Sequence, residues 1–377
     1  MTITINNKNK KPNVPNLRFK EFQGEWEKTK FGDIAVVVGG GTPDTNTSQY
    51  WNGKIQWFTP SEIGRNKYVY NSVRTISEEG LNKSSAKLLP IGTILLSSRA
   101  TVGECSINKK ECTTNQGFQS LIPKENISNE FVYYLIQTKR KDLIRKSCGS
   151  TFLEISANEV RKIVVSIPTI KEQDKIAKLL SLLDERIATQ NKIIDKLQTL
   201  IKGIAHKVSK QGKPNIRLSE CLLCTSSTLQ ESDVAEVGAY PVYGANGIVG
   251  YLDTYNTTSE AIYIIKDGSG VGAVSCVKGK CSATGTLNIL QTKEGFSLRY
   301  LYFILKVFSF EPYKTGMAIP HIYFKDYGKA KIYCPSNQLQ CKYADLLSKI
   351  EQKATAEQKI LDNLCSQKQY LLCQMFI

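Results

Sequence analysis

Apolar residues along 168–209 fall at alternating spacings of four and three: Ile176, Leu180, Leu183, Ile187, Ile194, Leu197, Ile201, Ile204 and Val208, with Gln190 the one polar member of the series. That 3.5-residue period predicts one long helix with a seam for a second helix to wind against. Shifted by 167 residues, the segment meets residues 335–376 without a gap. Pro168, Gln173, Lys175, Ala177, Leu179, Leu180 and Ser181 find identical residues at Pro335, Gln340, Lys342, Ala344, Leu346, Leu347 and Ser348. Lys192, Ile193, Asp195 and Leu197 likewise match Lys359, Ile360, Asp362 and Leu364. The second copy carries Tyr343, Leu347, Ile350, Ala354, Leu361, Leu364, Lys368, Leu371 and Met375 on its seam, a weaker one, with Glu357 at the site matching Gln190. A shared register of this length indicates a duplication rather than two unrelated amphipathic helices.

The intervening segments alternate strand-like and helix-like runs. Strands are expected at residues 34–38, 91–96 and 105–107, and a helix over 130–146. The expected organisation is an arm at 1–24, mixed α/β domains at 25–167 and 211–334, and long helices at 168–210 and 335–377. The two domains match thinly: Val102, Gly103, Ser106 and Cys112 against Val271, Gly272, Ser275 and Cys281, and Tyr133, Gly149, Ile155 and Lys162 against Tyr300, Gly316, Ile322 and Lys329. Phe31 pairs best with Leu218, so the first domain carries about 18 extra residues before Ile94. The fold class is therefore α+β, with two homologous domains and two long helices in an internal pseudo-two-fold repeat. A helix of about 40 residues is about 60 Å long, whereas a domain of this size is only about 35 Å across. The breaker at 210–214 reaches about 17 Å at most. Antiparallel helices satisfy these lengths and bring Gln190 beside Glu357.

Composition narrows the partner. The chain has 50 Lys and Arg against 34 Asp and Glu, a formal charge of +16, which points to a polyanion and first to nucleic acid. A polar, basic start and the lack of any bilayer-length apolar run lead us to expect no secretion, no membrane insertion and a cytoplasmic location. Eleven cysteines are then expected as free thiols. Cys221 and Cys224 form one CxxC, with only Cys276 and Cys281 as a second pair, and the two histidines, His206 and His321, stand near neither, so no metal site is expected.

Catalytic signatures are missing too. The GxGxxA run at 268–273 follows a strand but is continued by β-like AVSCVKG, which reads as a hairpin loop rather than a dinucleotide site. No GxxxxGK[ST] occurs, no [DNS]-P-P-[YF] occurs, and Pro43-Asp44 finds no ExK partner outside the C-terminal helix. No catalytic residue is assigned.

The layout resembles the specificity (S) subunit of type I restriction–modification enzymes over essentially the whole chain. The likeness rests on VPNLRF at 14–19 leading to GEW at 24–26, GGTP at 40–43, YWNG at 50–53, TP at 59–60, SSRATVG at 97–103 and NQGF at 115–118. In the second domain YPVYGANG at 240–247 and GSG at 268–270 are similar, and the repeated KxxIAxLLS with KIxDxL is the most specific part. The resemblance implies a non-catalytic subunit whose two target-recognition domains each read one half of a split, asymmetric duplex DNA site. The helices would set the spacer and dock methyltransferase (M) subunits, two being expected, with restriction/translocase (R) subunits joining through M. S-adenosylmethionine, ATP and Mg are implied for those partners only, the product being N6-methyladenine. The alternatives are a stand-alone DNA-binding or scaffold protein that dimerises through the helix pair, and a methyltransferase of unrecognised fold.

Base reading needs polar side chains at base edges and cations or amides on phosphates. In the first domain the candidates are Gly40, Gly41, Thr42, Asp44, Ser97, Ser98, Arg99, Thr101, Thr113, Thr114, Asn115, Gln116, Ser150 and Thr151. Arg99 suits a bidentate guanine contact, a phosphate contact or a surface ion pair. Gln116 suits adenine or an ordinary loop role. In the second domain they are Tyr243, Asn246, Lys266, Ser269, Thr284, Met317 and His321. Tyr243, Met317 and Phe118 are candidates to support the stack around an extruded base, Phe118 also suiting the core.

Overall fold

The computed structural model describes residues 13–149 and 153–377, and the chain forms two compact units that divide after Ala188 and again after Leu361. Each unit thus holds one α/β module with a part of each long helix. The first helix runs Ile170–Ser209 and the second Asn337–Met375.

The first module comprises β1 (Glu27–Lys30), β2 (Ala35–Gly39), β3 (Trp51–Phe58), β4 (Tyr68–Val69), β5 (Arg74–Ile76), β6 (Ile94–Leu96), β7 (Cys105–Asn108), β8 (Cys112–Thr114), β9 (Gln119–Pro123) and β10 (Val164–Ile167). One sheet has the order β2-β9-β6-β7-β4, a second β5-β3-β8, and β1 pairs with β10. The helix predicted over 130–146 is two, Asn129–Thr138 and Arg140–Arg145. They break at Lys139, whose backbone leaves the helical region (φ −95°, ψ 7°) and whose ammonium donates to the Ile377 carbonyl at 2.9 Å. Helix Asn129–Thr138 buries Phe131, Val132, Tyr134, Leu135 and Ile136 against the larger sheet. Leu372, Met375 and Phe376 complete that core, with the Phe376 ring stacked 5.2 Å from Phe131.

The second module repeats this plan with β11 (Ile216–Arg217), β12 (Leu222–Ser226), β13 (Tyr240–Gly244), β14 (Gly247–Leu252), β15 (Ala261–Ile265), β16 (Val274–Val277), β17 (Ser282–Ala283), β18 (Leu287–Thr292) and β19 (Lys331–Ile332). Its sheets are β12-β18-β15-β16, β14-β13-β17 and β11-β19. The parallel pairing of β3 with β8 recurs as β13 with β17. The first module's extra residues include 59–73 with β4, where the second has only the turn 245–246 between β13 and β14. The GxGxxA run is a hairpin loop between antiparallel β15 and β16, and no helix follows it.

Identical residues of the repeat make identical bonds. Gln173 donates to the Pro168 carbonyl at 2.9 Å and accepts from the Ser128 N–H at 3.0 Å. Gln340 donates to the Pro335 carbonyl at 2.8 Å and accepts from the Ser297 N–H at 3.0 Å. Each glutamine is buried, so each latch satisfies backbone groups at the start of a module helix and of a long helix. The latch aligns Ser128 with Ser297, which makes Tyr302, not Tyr300, the counterpart of Tyr133. A two-residue slip therefore corrects the sequence match. The tyrosine bonded to the long helix is Tyr134 in the first unit, donating to Asp184 Oδ2 at 2.7 Å, and Tyr302 in the second, donating to Glu351 Oε1 at 2.7 Å.

Within each unit the long helices run antiparallel. In the first, Lys368 pairs with Asp184 at 2.6 Å, and Ile176 and Leu180 share a core with Leu372 and Met375. In the second, the buried Gln190 amide donates to the Glu357 carbonyl at 3.0 Å and to its carboxylate, while Ile201, Ala205 and Val208 share a core with Ala344 and Leu347. Of the predicted seam, Ile176, Leu180, Ile194, Leu347, Leu361 and Leu364 are buried, and Leu183, Ile187, Leu197 and Ile350 half-buried. Lys353 and the Gln190 amide hold the Glu357 carboxyl below the usual carboxylate range.

The described part of the arm, residues 13–24, is tied to the first unit. Arg18 grips the buried Glu172 carboxylate through two bonds of 2.8 Å, and Trp26 adds an indole donor at 3.3 Å.

Candidate nucleic-acid interface

The first module's candidate loops form one continuous edge. The Trp57 and Trp51 indoles of β3 donate to the carbonyls of Gly41 at 2.9 Å and Asp44 at 3.0 Å, pinning the loop 40–44. Gly41 N–H donates to the Thr114 carbonyl at 2.8 Å, and a Cβ on Gly40 would lie 2.0 Å from the Asn115 carbonyl oxygen. Only glycine permits that approach. Thr42 then reaches Gln116, whose loop continues through Gly117 to the Ser98 N–H at 2.8 Å. Ser98 carbonyl accepts from Ile155 N–H at 3.0 Å, which brings Arg99 against Glu154 with Nε 2.8 Å from Oε1.

The second module builds its edge on the same backbone bonds. Lys266 N–H donates to the Thr286 carbonyl and the Lys266 carbonyl accepts from Ile322 N–H, both at 2.9 Å. Thr284 N–H donates to the Tyr243 carbonyl at 2.8 Å, as Asn115 N–H does to the Phe58 carbonyl at 3.0 Å. Gly272 N–H closes onto Ile265 at 2.9 Å as Gly103 N–H closes onto Ser97 at 3.1 Å, both glycines having φ near +90° (+90° and +88°). Here His321 Nδ1 lies 2.7 Å from Asp267 Oδ1.

Burial corrects part of the candidate set. Ser97, Ser98, Thr113, Thr114 and Thr284 are at most 1% exposed. They lie in or beside strands and brace the loops, since a side chain without solvent access cannot meet a base edge. Phe118 belongs to the core beside Phe58 and Leu95. Asp44 is exposed, yet its carboxylate accepts from Asn46 N–H at 3.0 Å and Thr47 at 3.1 Å. It shapes its own turn.

Arg99, Thr101, Gln116, Asn246, Ser269 and Met317 are exposed, and Gly40, Thr42, Asn115, Tyr243, Lys266 and His321 half-exposed, while Gly41 is enclosed. Met317 is fully exposed at the tip of a loop whose base is closed by mutual Thr315–His321 backbone bonds of 2.9 and 2.7 Å. Ser150 and Thr151 lie outside the described residues. Sequence reasoning missed Glu154 and Asp267, which pair with candidates, and Arg74, whose guanidinium stacks 3.5 Å from the Trp51 ring centre. Nothing in local sequence signals contacts made across such separations.

Among the described residues no cluster of three or more His, Cys, Asp or Glu side chains could hold a metal, and no helix is long and apolar enough to cross a membrane. Burial pushes the Cys221 thiol up to about 12 and Cys224 up to about 11, away from thiolate chemistry.

A family model described as the type I restriction modification DNA specificity domain matches residues 23–199 and again 221–365. The chain belongs to that family. Among curated relatives of this specificity family, the MjaIX specificity subunit of Methanocaldococcus jannaschii is 40% identical over 180 residues, 46% of this chain and 42% of the relative. The EcoR124I/EcoR124II specificity subunit of Escherichia coli is 33% identical over 175 residues, 45% of this chain and 43% of the relative. The match thus spans less than half the length of either. A crystal structure of the S subunit from M. genitalium aligns over 97% of this chain and 99% of its own, with a TM-score of 0.65 at 20% identity. That likeness is one of fold.

Proposed function

We propose that this chain is the non-catalytic specificity subunit of a type I restriction–modification complex, each module reading one half of a split DNA site. The observation that carries the reading is a duplicated, hydrogen-bonded loop frame dressed with different side chains in its two copies. A rigid frame with variable polar tips is what recognition of two unlike half-sites requires. The high positive charge of +16 supplies the sequence-independent attraction to phosphates. The paired helices set the spacer and present docking faces to methyltransferase subunits, through which restriction subunits join. S-adenosylmethionine, ATP and Mg serve those partners.

Methylome sequencing of cells carrying the cognate methyltransferase, with and without this gene, tests the proposal. The expected result is one bipartite adenine motif that disappears on deletion. An unchanged methylome overturns it, and S-adenosylmethionine binding by the isolated chain would favour an enzyme instead.

A further inference from the structure

We infer that one bridged pair in each module, Arg99 with Glu154 and Asp267 with His321, is the determinant that makes the half-sites chemically unlike. This rests on reading the chain as a DNA specificity subunit.

The two pairs occupy the same node of the repeated frame. Arg99 follows Ser98, whose carbonyl accepts from Ile155 N–H at 3.0 Å, and Asp267 follows Lys266, whose carbonyl accepts from Ile322 N–H at 2.9 Å. Glu154 is bridged to Cys148 by mutual backbone bonds of 2.9 and 3.0 Å, as His321 is to Thr315 at 2.7 and 2.9 Å. Isolated bridges join Arg99 to Glu154 and Asp267 to His321. Backbone placement is therefore the same, while the polarity is reversed: the hairpin supplies the cation in the first module and the anion in the second.

Where each module meets the long helices the frame keeps its chemistry. The Gln173 and Gln340 latches are identical, and Tyr134 and Tyr302 both donate to a carboxylate. Stability does not explain an exposed pair at this node. The four side chains are 34–44% exposed, and pairs so wet contribute little to stability. Such a pair holds its side chains in one orientation in the free protein and exchanges partners easily when a competing polar edge arrives.

The hairpin residue defines what that edge must be. Arg99 presents a fork of donors, which matches the adjacent O6 and N7 acceptors of guanine in the major groove. Asp267 presents acceptors only, which matches the exocyclic amine of cytosine or adenine. Glu154 and His321 are positioning residues that orient the reader. The first half-site should thus carry a guanine at the position met by Arg99, and the second an amine-bearing base at the position met by Asp267.

The test uses the chain assembled with its methyltransferase subunits, read by methylome sequencing and by competition binding to duplexes altered at single positions. Arg99→Gln should relax one guanine of the first half-site by about 10- to 100-fold and leave the second untouched. Asp267→Asn should relax one cytosine or adenine of the second by a similar factor. Arg99→Lys keeps the charge and loses the planar fork, so it should behave like Arg99→Gln. Exchanging the pair, Arg99→Asp with Glu154→His, should replace guanine at that one position. Equal weakening on all duplexes, with Arg99→Lys restoring wild-type affinity, would make Arg99 a phosphate contact and overturn the inference. Unchanged motifs in all variants would reduce both pairs to surface contacts without a reading role and overturn the inference. Absence of any bipartite motif with the unaltered chain would instead refute the proposed function.

Discussion

The two modules share their backbone and differ in their tips. Loops of the first are held by indole donors from Trp51 and Trp57, with a second layer of small buried hydroxyl residues beneath. The second module has no tryptophan: Thr284 and Thr286 bond each other at 2.8 Å, and the half-buried Tyr243 packs edge-on to Tyr263 at 5.9 Å. Main-chain donors and acceptors stitch the loops together in both, so side chains at the tips are free to change without loosening the frame. On the proposed function, such a frame can acquire a new specificity by point substitution, and two copies of it can drift to unlike targets.

Differences in anchoring are the sharpest way to separate the modules. Only the first has the buried carboxylate Glu172, held by Arg18, and its repeat position in the second is Leu339. Arg18→Ala should leave that charge unpaired and destabilise the first unit by about 3–5 kcal/mol. Hydrogen exchange should show lost protection there and none in the second. Equal loss in both would break the separation.

The glutamine latches probe likeness instead. Gln173→Ala and Gln340→Ala each strand a carbonyl and an N–H, and each should cost about 1–3 kcal/mol in denaturant titration of its own unit. Costs differing by more than about twofold would show that equal geometry does not mean equal energy. A smaller effect is expected from Tyr134→Phe and Tyr302→Phe, about 1.5 kcal/mol each, since each loses a bond to a carboxylate.

The smallest effect is in the seam and depends on pH. The Glu357 carboxyl is held low, so the contacts with Lys353 and Gln190 contribute fully above about pH 4.3, the unfolded range, and are lost as pH falls through the lower folded value. Acid titration of the second unit followed by exchange at the helix amides should lose this component in Glu357→Gln. Retention of the full acid dependence by that variant would assign it to other carboxylates.

The long helices were legible because side-chain periodicity records helix pairing, and even the meeting of Gln190 with Glu357 follows from one repeat and a few lengths. The module repeat was thinly legible because its defining bonds are main-chain ones, which leave no residue signature. Hence residue identity pairs Tyr133 with Tyr300, two residues out of register. Sequence alone sorts the candidate site residues poorly: Thr113 and Thr114 stand beside Asn115 and Gln116 as candidates for a base-reading surface, whereas they lie in a buried strand. Small hydroxyl side chains suit both places, and only tertiary burial decides. Glu154 and Asp267 escape a sequence reading because side-chain pairs spanning 54–55 positions have no local pattern.

The placement of Leu372, Met375 and Phe376 in the first unit's core has a consequence for how the protein is made. Phe376 packs on Phe131, and Leu17 N–H donates to the Gln374 carbonyl at 2.9 Å. At about 5–20 residues per second, a ribosome that has completed residue 188 needs on the order of 10–40 s more to deliver that closing segment. Throughout that interval the second unit's residues emerge while the first still lacks part of its core. The earliest-made module is thus the last that can finish folding, and a chain broken off before residue 362 should expose the apolar surface by which chaperones and proteases recognise incomplete products.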